Sequence, residues 1–195
     1  VEDPDVLGYL NEENAYYESW YEPHKTLTQT LFEELKARKP EQDESVPYEK
    51  NGYRYQWRFN AGDQYRVWLR QSIMDTSNVW ETLLNENSLA EGCEYFRLGA
   101  LAVSPDGTKL AYSTDTNGSE RFILQVIEIA SGNALTTPIE NCAGSVVWNA
   151  DSDGFAYRSV NENWRPDKAL YRSLHGGDDT VLYQEEDDAF FVGLG

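Results

Sequence analysis

The sequence predicts a mainly β fold: an incomplete β-propeller of about three four-stranded blades plus the start of a fourth, preceded by an N-terminal helical segment. Three observations support this prediction. Helical spacing of apolar residues is confined to roughly the first 45 positions. After Val46, apolar residues alternate with polar ones, which is the period of a half-buried strand. A later segment repeats at an offset of 45 residues, a period typical of propeller blades.

Two helices are predicted within residues 1–45. Asp3 and Pro4 form a favourable helix start, because aspartate caps exposed N–H groups and proline fits the first helical position. Glu22-Pro23 ends the first helix, and a second is predicted from about residue 23 to 38. Both helices carry an apolar face, formed by Leu7 and Leu10 in the first and by Leu27, Leu31 and Leu35 in the second.

The following segment is predicted to be a β-hairpin with an aromatic face, within a first blade at about 46–88. Aromatic residues alternate with polar ones in its first strand, at Tyr53, Tyr55 and Trp57. Apolar residues alternate likewise in its second strand, at Tyr65, Val67 and Leu69. The run Asn60–Asp63 between them contains Asn, Gly and Asp and is typical of a turn.

Two later segments align without a gap. Residues 103–112 fall on residues 148–157, so that Ala111-Tyr112 coincides with Ala156-Tyr157. The Ser104–Gly107 run has the residues of a tight turn, with proline fixing φ and glycine tolerating a positive φ. A single blade cannot bury both of its faces, so neighbouring blades must stack. An open antiparallel sandwich is the alternative fold.

The repeat predicts further blades at about 95–135 and 140–185, with a fourth beginning at about 190, all within a domain at 46–195. Propellers close with four or more blades. Three blades and a stub cannot form a ring, so we expect the chain to be a piece of a longer protein.

Composition excludes several classes of partner. The 195 residues carry 16 Lys+Arg against 34 Asp+Glu, a formal net charge of −18. Nucleic acid and anionic membranes both require a basic surface, so neither is an expected partner. No apolar run approaches the length of a transmembrane helix and no signal peptide is visible, which predicts a cytoplasmic protein. Cys93 and Cys142 are interpreted as small buried hydrophobes, with one disulfide as the alternative.

The sequence offers no catalytic residue. No Gly-x-Ser-x-Gly elbow occurs, and Gly144-Ser145-Val146 leads into an apolar strand instead. The two histidines are His24, on the second helix, and His175, in a turn. Ser173 and His175 are two residues apart without a third orienting group, and this pair is interpreted as a solvated turn rather than a catalytic dyad.

No metal or cofactor site is predicted either. Asp106, Asp151 and Asp153 resemble calcium-loop acids only superficially and are interpreted as turn residues. Glu185–Asp188 is interpreted as a solvated junction between blades, and alternatively as a negative funnel that attracts basic peptides. Core packing is expected for four tryptophans: Trp20, Trp57, Trp80 and Trp148.

An ordered set of motifs makes the chain resemble a known family. The motifs are Asp5–Asn14, Leu31–Lys36, Ser45–Tyr48, Gly52–Tyr55, Leu89–Gly92, Tyr95–Gly99, Val103–Gly107 and Asn163–Pro166. Together they resemble the N-terminal half of the prolyl oligopeptidase family, in particular its oligopeptidase B group. Ser-Pro-Asp-Gly by itself is weak, since many propellers contain it. The resemblance covers essentially the whole chain.

The resemblance implies a serine peptidase with two domains. An α/β-hydrolase domain with a Ser-Asp-His triad would follow Gly195, and a seven-bladed propeller would cap its active site. Substrates would be short peptides, cleaved after Lys or Arg in the oligopeptidase B group. The N-terminal helices would pack on the hydrolase domain, and the chain alone would be inactive. Apart from the resemblance, an unclosed array of blades leaves exposed strand edges, so we expect self-association.

A free-standing propeller-type binding module without enzymatic activity is the alternative function. The helical segment distinguishes the two hypotheses. A binding propeller has no use for apolar helix faces with nothing of its own to cover, whereas a hydrolase domain would cover them.

Overall fold

The chain forms two compact units, Val1–Glu41 and Gln42–Gly195. The computed structural model describes residues 3–77 and 79–195. Residues 1 and 2, the start of the predicted helical segment, therefore lie outside the described residues. The division precedes residue 43 because residues 43 and 44 already pair with a strand of the second unit. Among the described residues, no helix has the length and apolar character needed to cross a membrane.

Both predicted helices of the first unit are confirmed. α1 spans Pro4–Tyr21, a 3-10 turn follows at Glu22–His24, and α2 spans Lys25–Ala37. The Asp3 carboxylate accepts a hydrogen bond from the main-chain N–H of Asp5 at 3.0 Å, as expected for a helix cap. None of the residues of α1 or α2 is buried, so the apolar faces of both helices are open to solvent.

Core packing is the wrong prediction for Trp20. This side chain is 57% exposed. Its ring contacts are with Tyr17 and His24 of the same unit, at centroid distances of 6.5 and 5.0 Å. No residue between positions 3 and 41 is buried, so this part of the chain offers no core in which an indole could pack.

The second unit begins with a five-stranded sheet that forms the first blade. Its strands are β1 (Asp43–Glu44), β2 (Tyr48–Lys50), β3 (Tyr53–Phe59), β4 (Val67–Ser72) and β5 (Glu81–Asn85). β1 and β2 both pair with β3 and together act as one interrupted strand. Pro47 lies in the interruption and has no N–H to donate to a ladder. The predicted hairpin is confirmed, with Trp57 opposite Trp68.

Seven further strands form one continuous curled sheet. They are β6 (Arg97–Val103), β7 (Lys109–Asp115), β8 (Phe122–Glu128), β9 (Ile139–Trp148), β10 (Gly154–Val160), β11 (Pro166–Ser173) and β12 (Thr180–Gln184). A short helix, α3 (Glu86–Ala90), lies between β5 and β6. The two sheets together make the mainly β propeller fold that the sequence predicts.

β9 belongs to two blades at once. Ile139 and Cys142 pair with β8, whereas residues 146–148 pair with β10, and Cys142 pairs with both neighbours. Positive φ angles at Asn141 and Gly144 mark the bend between the halves. The second blade therefore takes its fourth strand from Ile139–Cys142, beyond the boundary at residue 135 that the repeat indicates.

The offset of 45 residues is kept in the strand register. Val103 pairs with Leu110 in the second blade, and Trp148 pairs with Phe155 in the third. The next strand pair repeats the match, because Ala111 faces Val126 and Ala156 faces Tyr171. The two segments that align in sequence are thus equivalent in structure.

The hydrophobic core lies between blades. One cluster joins the second blade to the third: Ala111, Phe122, Leu124, Val126, Ile139, Cys142, Phe155 and Tyr157. A second cluster joins the first blade to the second around Leu84, Leu110 and Tyr112. Cys142 is buried, Cys93 is half-buried, and both are free thiols. Face-to-face burial between neighbours explains why the blades occur as a stack.

The chain ends without a regular strand after residue 184 among the described residues. Val192 is nevertheless buried, and its N–H donates to the Pro166 carbonyl at 2.8 Å. Arg158 Nη1 donates to the Val192 carbonyl at 2.8 Å. Residues 190–192, where the sequence predicts a fourth blade to begin, are therefore attached to the third blade by main-chain contacts.

Candidate functional site

The Ser173–His175 turn brings a hydroxyl and an imidazole close together in sequence, between β11 and β12. The Ser173 hydroxyl accepts a hydrogen bond from the main-chain N–H of His175 at 3.1 Å. The imidazole Nε2 of His175 lies 3.3 Å from Oδ2 of Asp153. The expectation that this imidazole lacks an orienting group is wrong, because the β9–β10 turn places Asp153 beside it.

This arrangement does not form a nucleophile and its base. Such a pair needs a hydrogen bond between the hydroxyl and an imidazole nitrogen. Here the His175 imidazole contacts the Asp153 carboxylate, and the Ser173 hydroxyl accepts a hydrogen bond from a main-chain N–H of its own turn. The His175 side chain is 77% exposed, as expected for a solvated turn.

Ser145 and His24 have structural contacts. The Ser145 hydroxyl lies in β9 and accepts a hydrogen bond from Arg158 Nε at 2.8 Å. The His24 ring lies 5.0 Å from the Trp20 ring. Neither contact joins a hydroxyl to an imidazole.

Asp106 organises the tight turn after β6. Its carboxylate accepts hydrogen bonds from Ser104 Oγ at 2.5 Å, Thr108 N at 3.0 Å and Lys109 Nζ at 2.7 Å. Burial would raise the pKa of Asp106, but the bonds from Lys109, Ser104 and Thr108 outweigh it and hold that pKa well below its usual range. Gly107 closes the turn with φ +73°, a conformation that glycine adopts readily.

The other acids of the predicted turns are not arranged around a common point. The Asp153 carboxylate accepts from Asn149 Nδ2 at 2.5 Å, and Asp151 is exposed. Within residues 3–77 and 79–195, no three His, Cys, Asp or Glu side chains are grouped closely enough to hold a metal ion.

The acidic run Glu185–Asp188 is folded around Arg165. Arg165 Nη1 donates to the carbonyls of Asp187 at 2.9 Å and Phe190 at 2.7 Å. Its Nη2 lies 3.0 Å from Oδ1 of Asp188. The run is an ordered part of the third blade, and whether its charge also steers ligands remains a proposal.

Side-chain hydrogen bonds join neighbouring blades. Arg70 Nη1, on β4, donates to the Gly107 carbonyl at 2.5 Å, joining the first blade to the second. Trp148 Nε1 donates to the Ala102 carbonyl at 2.9 Å, joining the third blade to the second. Trp164 Nε1, in the β10–β11 turn, donates to the carbonyl of Ser119, in the β7–β8 turn, at 2.6 Å. This bond also joins the third blade to the second.

Trp164 has a strained backbone, with φ +58°. A bulky residue in this region is an outlier that its surroundings must stabilise. The guanidinium of Arg121 lies 4.6 Å from the Trp164 ring centre and donates to the Asn161 carbonyl at 2.8 Å. These contacts hold the turn in its strained form.

A concave groove of about 550 Å³ lies between the first and second blades. We call it the Glu86 groove. It is lined mainly by aromatic and apolar side chains, with polar groups of both charges: Phe59, Gln64, Tyr65, Arg66, Trp68, Glu86, Phe96, Arg97, Leu98, Gly99 and Leu101. Pockets that bind small groups commonly combine aromatic walls with a few polar groups.

Glu86 is the unusual residue of this groove, because it is a carboxylate only 7% exposed. It accepts a hydrogen bond from Trp68 Nε1 at 2.6 Å. Burial raises the pKa of Glu86, and the Trp68 bond and the Arg66 charge oppose this only in part. The sequence contains no signal for a buried Glu86, since a glutamate at the start of a short helix is typical of a solvated surface.

Stacked four-stranded blades with a repeated register and inter-blade cores define a β-propeller domain, of which this chain holds part. The chain belongs to the prolyl oligopeptidase family of peptidases. The family model for its N-terminal β-propeller domain matches residues 1–195.

Curated relatives are similar over nearly the whole of this chain. Dipeptidyl aminopeptidase BI of Pseudoxanthomonas mexicana is 31% identical over 211 residues, covering 100% of this chain and 29% of that protein. Protease 2 of Moraxella lacunata is 28% identical over 195 residues, covering 95% of this chain and 28% of that protein. The chain thus spans less than a third of the length of these relatives.

Solved structures agree on the fold. Oligopeptidase B from Trypanosoma brucei, in a closed form with covalently bound antipain, has a TM-score of 0.85 at 30% identity. The match covers 99% of this chain and 28% of that one. Oligopeptidase B from Leishmania major has a TM-score of 0.87 at 23% identity, covers 97% of this chain and 27% of that one, and supports the fold alone.

Proposed function

We propose that this chain is the N-terminal, substrate-gating part of a serine oligopeptidase that cleaves short peptides after Lys or Arg, with its catalytic α/β-hydrolase domain outside these 195 residues. One observation carries the proposal: the family match runs over residues 1–195, whereas relatives are more than three times as long. In this proposal the blades limit substrate size, and acyl transfer takes place on the other domain.

Specificity for Lys or Arg is supported by two features. The chain is 30% identical to an oligopeptidase B over 99% of its length. Its net charge of −18 favours the approach of basic peptides over acidic ones. Charge of this kind raises association rates and falls in effect as salt is added.

The helical unit favours this proposal over a free-standing binding module. The leucines of α2 are open to solvent, with Leu27 59% exposed and Leu35 64% exposed. Apolar faces of this kind are characteristic of surfaces that contact another protein element. In the proposed function that element is the hydrolase domain.

A chimera tests the proposal. Residues 1–195 would replace the matching segment of Protease 2 from Moraxella lacunata, leaving the remainder of that relative intact. We expect the chimera to hydrolyse a short Arg-containing peptide and to reject a folded protein with exposed Arg residues. We expect the chain alone to hydrolyse no Arg ester and to resist labelling by a serine-directed fluorophosphonate.

Two controls make the outcome decisive. The unaltered relative provides the reference rate and size limit, and the relative without its propeller segment shows what the segment contributes. A soluble, folded chimera that cleaved the folded protein would exclude a gating role. Labelling of the chain alone would place a reactive nucleophile within residues 1–195. It would contradict the proposal that catalysis takes place on a separate hydrolase domain.

A further inference from the structure

The Glu86 groove contains a buried carboxylate whose charge is not neutralised by direct contact. Within its own unit, over residues 42–77 and 79–195, Glu86 has no Lys, Arg or His nitrogen within ion-pair distance. Its carboxylate accepts a hydrogen bond from the neutral indole of Trp68, at 2.6 Å. A carboxylate has about four acceptor positions, so this site has capacity for further donors.

Neither arginine of the groove makes an ion pair with Glu86, although the charge of Arg66 acts on it from a longer distance. The guanidinium of Arg66 lies 4.5 Å from the ring centre of Trp57 and 5.8 Å from that of Trp68. Arg97 Nη1 pairs with Glu120 at 2.9 Å. Arg66 also shows that guanidinium groups and the aromatic rings of this region are compatible neighbours.

The remaining lining suits the rest of a cationic side chain. Tyr65 and Phe96 pack edge to face with centroids 5.1 Å apart, and Phe96 is 6% exposed. Long basic side chains place their methylene stems along such apolar surfaces. Aromatic faces also attract guanidinium and ammonium groups directly.

We propose that the Glu86 groove binds the cationic side chain of a peptide, with a guanidinium or primary ammonium donating hydrogen bonds to the Glu86 carboxylate. The inference deepens the proposed function, because it gives the propeller a contact of its own with basic peptides. The groove would hold a basic residue of the substrate or product while the peptide bond is processed elsewhere. Its test requires no hydrolysis and no second domain.

The test measures binding to the 195-residue chain. The probe is N-acetyl-arginine amide, and the matched control probe is N-acetyl-citrulline amide, which has nearly the same shape without the charge. The readout is the ¹H–¹⁵N signal of the Trp68 indole, assigned with the Trp68→Phe variant. We expect a saturable shift with the arginine probe and none with the citrulline probe.

Two variants separate the groove from general charge. Glu86→Gln keeps an oxygen for the Trp68 hydrogen bond and removes the charge, so we expect binding about tenfold weaker or more, the effect of losing a charged hydrogen bond. Glu91→Gln removes the same charge from an exposed residue outside the lining, and binding should stay unchanged.

Equal binding of both probes, equal binding by Glu86→Gln, or the absence of a saturable shift in the unaltered chain would each overturn the inference. The comparison of probes on the unaltered chain keeps the test valid even where Glu86→Gln fails to fold. These failures leave the proposed function standing, since the chimera experiment measures hydrolysis and size selection separately.

Discussion

The indole Nε1 of Trp148 donates a hydrogen bond to the main-chain carbonyl of Ala102 at 2.9 Å. The two residues lie on the first strands of neighbouring blades, and their contact fixes how the third blade sits on the second. Trp148 also packs on Phe155, with ring centroids 5.5 Å apart. Its indole N–H therefore joins the two blades, while its ring packs within the third blade.

Replacing this indole should weaken the blade stack. Trp148→Phe retains an aromatic ring but leaves the Ala102 carbonyl without its donor, so we expect a loss of about 1 kcal/mol in the free energy of unfolding. Urea unfolding followed by circular dichroism measures it. Val147→Ala, a change at the adjacent and more exposed position, should alter stability by less than about 0.5 kcal/mol. Equal losses in both variants would contradict a specific role for the indole.

Arg70 is expected to be the main polar link between the first two blades. Its side chain is 7% exposed, pairs with Glu81 at 2.8 Å and lies 4.5 Å from the Tyr53 ring centre. Arg70→Met should reduce the free energy of unfolding by about 2 kcal/mol, because it leaves the Gly107 carbonyl without a donor and Glu81 without its ion pair.

A surface pair in the same blade provides the control for Arg70. Arg54 is 47% exposed and pairs with Glu49 at 3.0 Å. Arg54→Met should change stability by no more than about 0.5 kcal/mol, as is usual for exposed pairs. If urea unfolding gave similar losses for the two variants, the burial of Arg70 would make no extra contribution to the free energy of unfolding.

Asp115 should make stability depend on pH. It is 1% exposed, and its carboxylate accepts from the main-chain N–H groups of Asn117, Gly118 and Glu120 at 2.8–3.0 Å. Burial would raise the pKa of Asp115, but these backbone hydrogen bonds outweigh it and lower that pKa. Folding therefore favours the ionised form, and its stabilisation is complete above the unfolded-state pKa of about 3.9.

The Asp115→Asn variant tests this dependence. At pH 7 it should be less stable than the unaltered chain by about 2 kcal/mol, since a charged acceptor is lost. The difference should shrink as the pH falls below about 4, because the carboxylate then takes up a proton in the unfolded chain while its lowered pKa keeps it ionised in the folded one. Urea unfolding at several pH values measures both. A difference independent of pH would show that ionisation of Asp115 does not contribute.

Self-association through an open strand edge is the fourth expectation. β12 is the last strand of its sheet, and all five of its residues are exposed. Unpaired edges of this kind act as templates for other strands, and lysine on an edge blocks such pairing. Sedimentation velocity should show oligomers of the unaltered chain and fewer of them for Leu182→Lys.

Leu135→Lys adds the same charge on a partly exposed loop residue and should leave the oligomers unchanged. A monodisperse monomer of the unaltered chain would contradict the expectation. Equal reduction by both lysine variants would indicate that net charge, rather than the edge of β12, governs association.

The strand register was predictable from the sequence, whereas several buried polar residues were not. The match of Ala111-Tyr112 with Ala156-Tyr157 gave the offset that the pairing keeps. Arg70 escaped prediction because strand alternation assigns it to solvent, and Glu86 because a glutamate at the start of a short helix is typical of a solvated surface. In a stack, both faces of a blade are covered, so some polar residues are buried between blades. The prediction for Trp20 was wrong in the other direction, because a side chain expected to be buried is exposed. Helical spacing alone does not show whether another element covers the apolar face of a helix.

The shared strand β9 leaves no linker between the second and third blades. A residue inserted in its second half would turn every following side chain to the opposite face of the sheet. An insertion in a hairpin turn would leave the side chains of the flanking strands on their faces. The spacing from Ile139 to Trp148 should therefore tolerate an insertion less well than the hairpin turns do.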